Sequence, residues 1–239
     1  MTSGDGKPPR GLAVRIRKSA GRSASSRRWL TRQLNDPYVA LARREGRRSR
    51  AVYKLKEIDE RHRLFRPGAR VVDLGAAPGG WSQYAAERVG AGAGQGRVVA
   101  LDLLDMDAIE GVAFARLDFL EPEARRWIVE TLGAPADVVL SDMAANATGH
   151  RKTDHLRIMA LAEAAAELAR ELLAPGGAFL AKVLQGGTEA SLLHALKQDF
   201  GKVRHVKPAA SRADSAELYV LATGFRGVPD RKERENGGV

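Results

Sequence analysis

The chain has 239 residues, 39 Lys+Arg against 29 Asp+Glu, a formal net charge of +10 and 44% hydrophobic residues, which suits one domain with an appended segment and excludes wholesale disorder. It contains no cysteine, which excludes disulfides, thiolate metal sites and cysteine nucleophiles, and its apolar runs are too short for a membrane-spanning helix. The excess positive charge points to a polyanionic partner, with nucleic acid the first candidate.

That charge is unevenly spread. Residues 1–50 hold 14 Lys+Arg and three acids, a net +11, while the remaining 189 residues hold 25 basic and 26 acidic groups, a net −1. Residues 1–28 are rich in Gly, Ser, Pro and Arg and lack hydrophobic periodicity. They are expected to be a flexible basic arm, with an inert tail or a mitochondrial transit peptide as the alternatives. Trp29, Leu30, Leu34, Tyr38, Val39 and Leu41 make a short amphipathic stretch broken near Asn35-Asp36-Pro37. Arg43-Arg44-Glu45-Gly46-Arg47-Arg48-Ser49-Arg50 follows as a cationic cluster, expected to contact phosphates rather than to be only a solvated face.

Beyond this point strands and helices alternate. Val52, Leu55 and Ile58 start an amphipathic helix that ends before Phe65. Arg70–Leu74 reads as a buried strand, followed by Gly75-Ala-Ala-Pro-Gly-Gly80 and a helix from about Trp81 to Val89. Val98–Asp102, Val112–Arg116 and Asp137–Ser141 are further strands, with a helix marked by Trp127, Ile128 and Leu132 before the last of them. Residues 152–173 show the clearest helical spacing and stop at Ala174-Pro175-Gly176-Gly177. Ala178–Val183 is a strand, residues 188–199 a helix, and Val203–Val206 and Leu218–Ala222 the closing strands. Such an order predicts an α/β doubly wound, mostly parallel sheet, with the last two strands as an antiparallel hairpin at one edge. The domain is expected over 29–225, with 226–239 a flexible polar tail.

In such sheets ligands lie beyond the carboxyl ends of the strands, so the residues there carry the chemistry. The Gly75–Gly80 loop opens a helix but lacks the G-x-G-x-x-G dinucleotide pattern, which argues against a nicotinamide-dependent oxidoreductase. Asp102, ending the second strand, is placed to accept hydrogen bonds from both ribose hydroxyls, and Asp118 could accept one from an adenine amino group. Asp142 ends the fourth strand. Lys182 lies within the apolar Phe179–Leu184 run, where a charged lysine is expensive unless a carboxylate pairs with it or its pKa falls, the conditions for a general base. Glu217 opens the last strand. The five histidines show no zinc-type spacing, so no metal is expected. Aromatic residues make up only 5%, which disfavours a stacking platform and with it a purely RNA-binding role.

Five segments occur in order: Ser49-Arg-Ala-Val-Tyr-Lys54-Leu, Val72-Asp-Leu-Gly-Ala-Ala-Pro-Gly-Gly-Trp-Ser-Gln83, Ser141-Asp-Met-Ala-x-Asn146, Lys182-Val-x-Gln-Gly186 and Glu217-Leu-Tyr-Val-x-Ala-Thr-Gly224. Together they resemble the FtsJ-like S-adenosylmethionine-dependent RNA 2′-O-methyltransferases, most closely the members acting on large-subunit ribosomal RNA. The resemblance implies a class I, Rossmann-like seven-stranded fold and a catalytic tetrad of Lys54, Asp142, Lys182 and Glu217. It also implies a cofactor site lined by Gly79, Trp81, Asp102, Asp118 and Asp142, S-adenosylmethionine as methyl donor, and a uridine ribose in the assembled large ribosomal subunit as target. In that reading Asp142 and Glu217 flank Lys182. Transfer RNA and messenger RNA caps are the alternative targets. A monomer in the bacterial cytoplasm, with no membrane partner, is expected; the mitochondrial matrix is the lesser option. Ala145 departs from the proline common at that place.

Overall fold

A computed structural model describes residues 30–144, 150–185, 190–212 and 215–227. The arm expected over 1–28, most of the tail expected over 226–239, and Ala145, Asn146 and Gly186 lie outside the described residues.

The described residues open in a helix at 30–34. Asp36 then starts α1 (Pro37–Arg44) by accepting the Tyr38 backbone N–H on its side chain at 3.1 Å, and Pro37 follows where a missing N–H costs nothing. The chain continues through α2 (Val52–His62), β1 (Arg70–Leu74), α3 (Gly80–Val89), β2 (Arg97–Asp102), β3 (Val112–Arg116), α4 (Pro122–Leu132) and β4 (Ala136–Ser141). It closes with α5 (Arg151–Leu172), β5 (Leu173–Leu184), α6 (Ala190–Asp199), β6 (Phe200–Val206) and β7 (Glu217–Phe225).

The seven strands form one sheet in the order β3-β2-β1-β4-β5-β7-β6. β1 to β5 pair in parallel, and β7 runs antiparallel to both β5 and β6. Alternate side chains of each central strand enter opposite layers. Val72, Leu74, Val99, Leu101 and Val139 pack against α4, α5 and α6, and Val71, Val98, Val138 and Leu140 pack against α1, α2 and α3. Both faces are covered, which is why these strands read as unbroken apolar runs.

The closing strands pair antiparallel at one edge, as expected, with β6 outermost and β7 between it and β5. Their sequences suit this: β7 carries the buried Leu218-Tyr-Val-Leu-Ala222, whereas β6 exposes Lys202, Arg204 and His205, charges that discourage edge-to-edge pairing. One detail differs from expectation: β5 starts at Leu173, before Pro175-Gly176-Gly177 rather than after it. Leu173 pairs with Ala136 and Ala178 with Val138, so the breaker residues form an irregularity inside the strand instead of a connecting loop.

Strand order reverses between β1 and β4, whose carboxyl ends release Gly75 and Asp142 side by side. Lys182 and Tyr219 are directly opposed across β5 and β7, with Glu217 opposite Leu184. The topology thereby gathers residues from five segments at one end of the sheet.

Candidate active site

Four of the expected residues meet at that end. Lys182 Nζ lies 2.9 Å from Asp142 Oδ1 and donates to the Asp142 backbone carbonyl at 2.8 Å. Lys54, buried on α2, donates to Glu217 Oε1 and lies 3.3 Å from the Tyr219 hydroxyl. Glu217 thus pairs with Lys54 rather than flanking Lys182. Among the described residues it is joined to the Lys182–Asp142 pair through Tyr219, whose hydroxyl lies 2.9 Å from Asp142 Oδ1 and 3.3 Å from Glu217 Oε1. A phenol has one proton to donate, so the shorter contact makes Asp142 its acceptor and leaves its oxygen to receive Lys54. Two lysines and two carboxylates leave the cluster neutral, the condition under which such charges tolerate burial. Burial, then the charges of Asp142 and Glu217, hold the Tyr219 hydroxyl well above its ordinary range, so it stays a donor.

Tyr219 is the residue that sequence reasoning missed. It reads as one more apolar position in β7, but it lies two residues from Glu217 and hence on the same face. A buried tyrosine also needs a partner for its hydroxyl, which was the available signal. Ser211 adds a further contact to Glu217 Oε1 at 3.3 Å.

Beside the tetrad lies a cavity of about 330 Å³, lined by Gly75, Leu104, Asp102, Asp118, Asp142 and Met143 among others. Both oxygens of Asp102 accept backbone N–H groups, Oδ2 from Ala77 and Oδ1 from Leu104 at 2.9 and 2.8 Å. A carboxylate has further lone pairs, so a ribose diol can be added to this fixed group. Asp118 similarly holds the Leu120 N–H at 3.0 Å on Oδ1. Gly75 has a φ of +76°, and a Cβ there would lie 2.4 Å from Met143 Cγ, so the turn against the cavity requires glycine.

Gly79 and Trp81 stand outside the cavity lining. Gly79, with φ +97°, caps α3 in the left-handed conformation. The Trp81 side chain is buried, its Nε1 donating to the Ala51 carbonyl at 2.9 Å and its ring 5.7 Å from that of Tyr219. Its indole therefore supports the tetrad from below. Under the same loop, Asp73 is fully buried, accepting the Ser82 hydroxyl at 2.6 Å, while its Oδ1 has no partner among the described residues. Burial raises its carboxyl to about 7 against the lowering effect of Ser82, with Asp142 and Asp102 adding to the rise.

The cationic cluster divides. Arg47 is paired with Glu87, Arg48 donates to the carbonyls of Asp107 and Ala108, and Arg50 is paired with Asp36 and donates to the Ala210 carbonyl. Arg43 and Arg44, at the end of α1, remain exposed. Among the described residues no helix is long and apolar enough to cross a membrane.

Comparison with known proteins identifies the family and the fold. Residues 47–225 match the FtsJ-like methyltransferase family. The chain is 65% identical to the ribosomal RNA large subunit methyltransferase E of Xanthobacter autotrophicus, covering 95% of this chain and 91% of that protein. It is 62% identical to the protein of the same name from Azorhizobium caulinodans, covering 98% and 96%. A solved ribosomal RNA methyltransferase from Plasmodium falciparum superposes with a TM-score of 0.66 at 26% identity, over 76% of this chain and 100% of that one. The sheet order is that of the class I methyltransferase fold, and the chain belongs to the FtsJ-like methyltransferases, whose methyl donor is S-adenosylmethionine.

Proposed function

We propose that the chain methylates the ribose 2′-hydroxyl of a uridine in large-subunit ribosomal RNA, within the assembled subunit in the bacterial cytoplasm. The observation that carries this reading is the joined arrangement of two lysine–carboxylate pairs through Tyr219, next to a cavity suited to a nucleoside. The relatives' shared name supports the RNA substrate. The cavity is at the small end of ligand-site volumes, typically about 300–1,000 Å³, and combines apolar walls with a few fixed carboxylates, which fits S-adenosylmethionine. When bound, that cofactor supplies an electrophilic methyl group on a sulfonium.

The chain's own residues position and deprotonate the hydroxyl. Lys182 directs two of its nitrogen's contacts to Asp142, at the side chain and the carbonyl. The remaining direction faces the ribose hydroxyl: once Lys182 has given up one proton to solvent, its two remaining N–H groups hold Asp142 while its lone pair orients the hydroxyl and accepts its proton. Asp142 holds Lys182 and borders the cavity, so the hydroxyl and the methyl group are brought together at one residue. Lys54 balances Glu217 and bounds the target ribose or phosphate on the other side. Arg43 and Arg44 offer phosphate contacts at the surface. Mapping 2′-O-methylation in ribosomal RNA from cells with and without the gene tests the target: one uridine of the large-subunit RNA should lose its methyl group, and an unchanged pattern overturns the assignment.

A further inference from the structure

The segment joining β2 to β3, residues 103–111, has no helix or strand. It begins at the cavity, because Leu103 and Leu104 line it directly after Asp102. Both leucines are more than half exposed, at 61% and 68%, so packing of their own side chains does little to fix them. Further along, the loop is held from outside. Arg48 donates from one guanidinium nitrogen to the Asp107 carbonyl at 2.7 Å and from the other to the Ala108 carbonyl at 2.5 Å. The donor is itself anchored, since the Arg48 backbone N–H reaches Gln83 Oε1 at 3.3 Å and the Gln83 amide returns to the Gly46 carbonyl at 3.2 Å.

This contact lies over the glycine loop. A Cβ at Gly79 would meet Ile109 Cδ1 at 2.6 Å and both Met106 Sδ and Arg48 Cδ at 3.1 Å. Side chains of the β2–β3 loop and the Arg48 stem therefore pack over Gly79, whose φ of +97° favours glycine there. Arg48 sits in the middle of the basic cluster, four residues after the exposed Arg44, yet it faces the cofactor side of the molecule.

We infer that Arg48 is a positioning residue for the cofactor, a clamp that fixes the β2–β3 loop and thereby the Asp102–Leu104 wall, and that it links the basic segment to cofactor affinity. The inference rests on the reading that the cavity holds S-adenosylmethionine. Two charge-assisted bonds to adjacent carbonyls require the planar fork of arginine, which a lysine ammonium does not supply. RNA docking on Arg43 and Arg44 would then act on the same short segment that holds the loop.

The test is calorimetric titration of the full chain with S-adenosylhomocysteine in the absence of RNA, for the wild type, Arg48→Ala, Arg48→Lys and the double variant Arg43→Ala/Arg44→Ala. Both Arg48 variants should raise the Kd roughly tenfold. Steady-state methylation should show the same rise in cofactor KM, with kcat at saturating cofactor kept within about twofold. Thermal melting checks that each variant folds, and Arg48→Lys, which keeps the charge and the stem, supplies the answer if Arg48→Ala does not fold. The Arg43/Arg44 variant should lose RNA affinity and keep its affinity for S-adenosylhomocysteine. Wild-type affinity in either folded Arg48 variant overturns the clamp. A wild-type chain that failed to bind S-adenosylhomocysteine would instead overturn the cofactor reading itself, and the clamp with it.

Discussion

At the ends of β5 and β7, Lys54, Glu217, Tyr219, Asp142 and Lys182 form one continuous network of short contacts. The neighbouring cavity at the ends of β1, β2 and β4 is open, walled by leucines and methionine, with carboxylates whose inner positions are held by backbone N–H groups. The contrast matches what the proposed function asks of each half. A group that removes a proton must stand in place before the hydroxyl arrives, because rearranging charges during the reaction would raise the barrier. A cofactor site has to release its product on every cycle, so part of its wall is a loop. Asp142 belongs to both halves and joins them.

The contrast can be broken most forcefully at the network. Lys182→Ala should lower the single-turnover methylation rate by roughly 10²–10⁴-fold while leaving cofactor affinity near that of the wild type. A near-normal rate would remove Lys182 from the reaction, and a parallel loss of cofactor affinity would show that the halves are not separate. The reverse substitution is Asp102→Ala, which should weaken S-adenosylhomocysteine about 10–100-fold in a binding titration, with the rate at saturating cofactor largely kept.

Tyr219→Phe sharpens the comparison at smaller scale. It removes the hydroxyl that links the two lysine–carboxylate pairs but leaves each pair intact. A rate loss of about tenfold is expected from one hydrogen bond in a low-dielectric network. No loss would mean that the pairs act independently.

The smallest effect is on stability and comes from Asp73, beneath the cofactor loop. Its carboxyl titrates at about 7 in the folded chain, above the roughly 3.9 of an unfolded aspartate. Between those values the folded state binds the extra proton, so the stability this group contributes in full below about pH 4 is lost as the pH rises through 7. Asp73→Asn keeps an acceptor for Ser82 and removes the ionisation. Its Tm should exceed that of the wild type by several degrees at pH 8, with the difference shrinking toward pH 5. A pH-independent difference would contradict the assignment.

Much of this arrangement is legible in the sequence, for identifiable reasons. The parallel strands stand out because burial on both faces makes them continuous apolar runs, and Lys182 stands out as a charge within one. Asp102 and Asp142 mark strand ends. The pairing is not legible: Lys54 and Glu217 are 163 residues apart, and only the insertion of β7 between β5 and β6 decides which lysine each carboxylate meets. Tyr219 is hidden because its ring satisfies the apolar pattern while its hydroxyl does the linking. The basic cluster misleads in another way, since arginines that bind carbonyls or buried carboxylates look, in sequence, like a solvated charge run. Arg48 and Arg50 are of this kind.

The most direct measurement concerns the product. Purified chain is incubated with large ribosomal subunits from cells lacking the gene and with S-adenosylmethionine labelled in its methyl group, and the RNA is then hydrolysed in alkali. A methylated 2′-oxygen cannot attack the adjacent phosphate, so the account predicts label in a single alkali-resistant dinucleotide that begins with uridine. Label released in mononucleotides, which would mean base methylation, or no label at all, would contradict it.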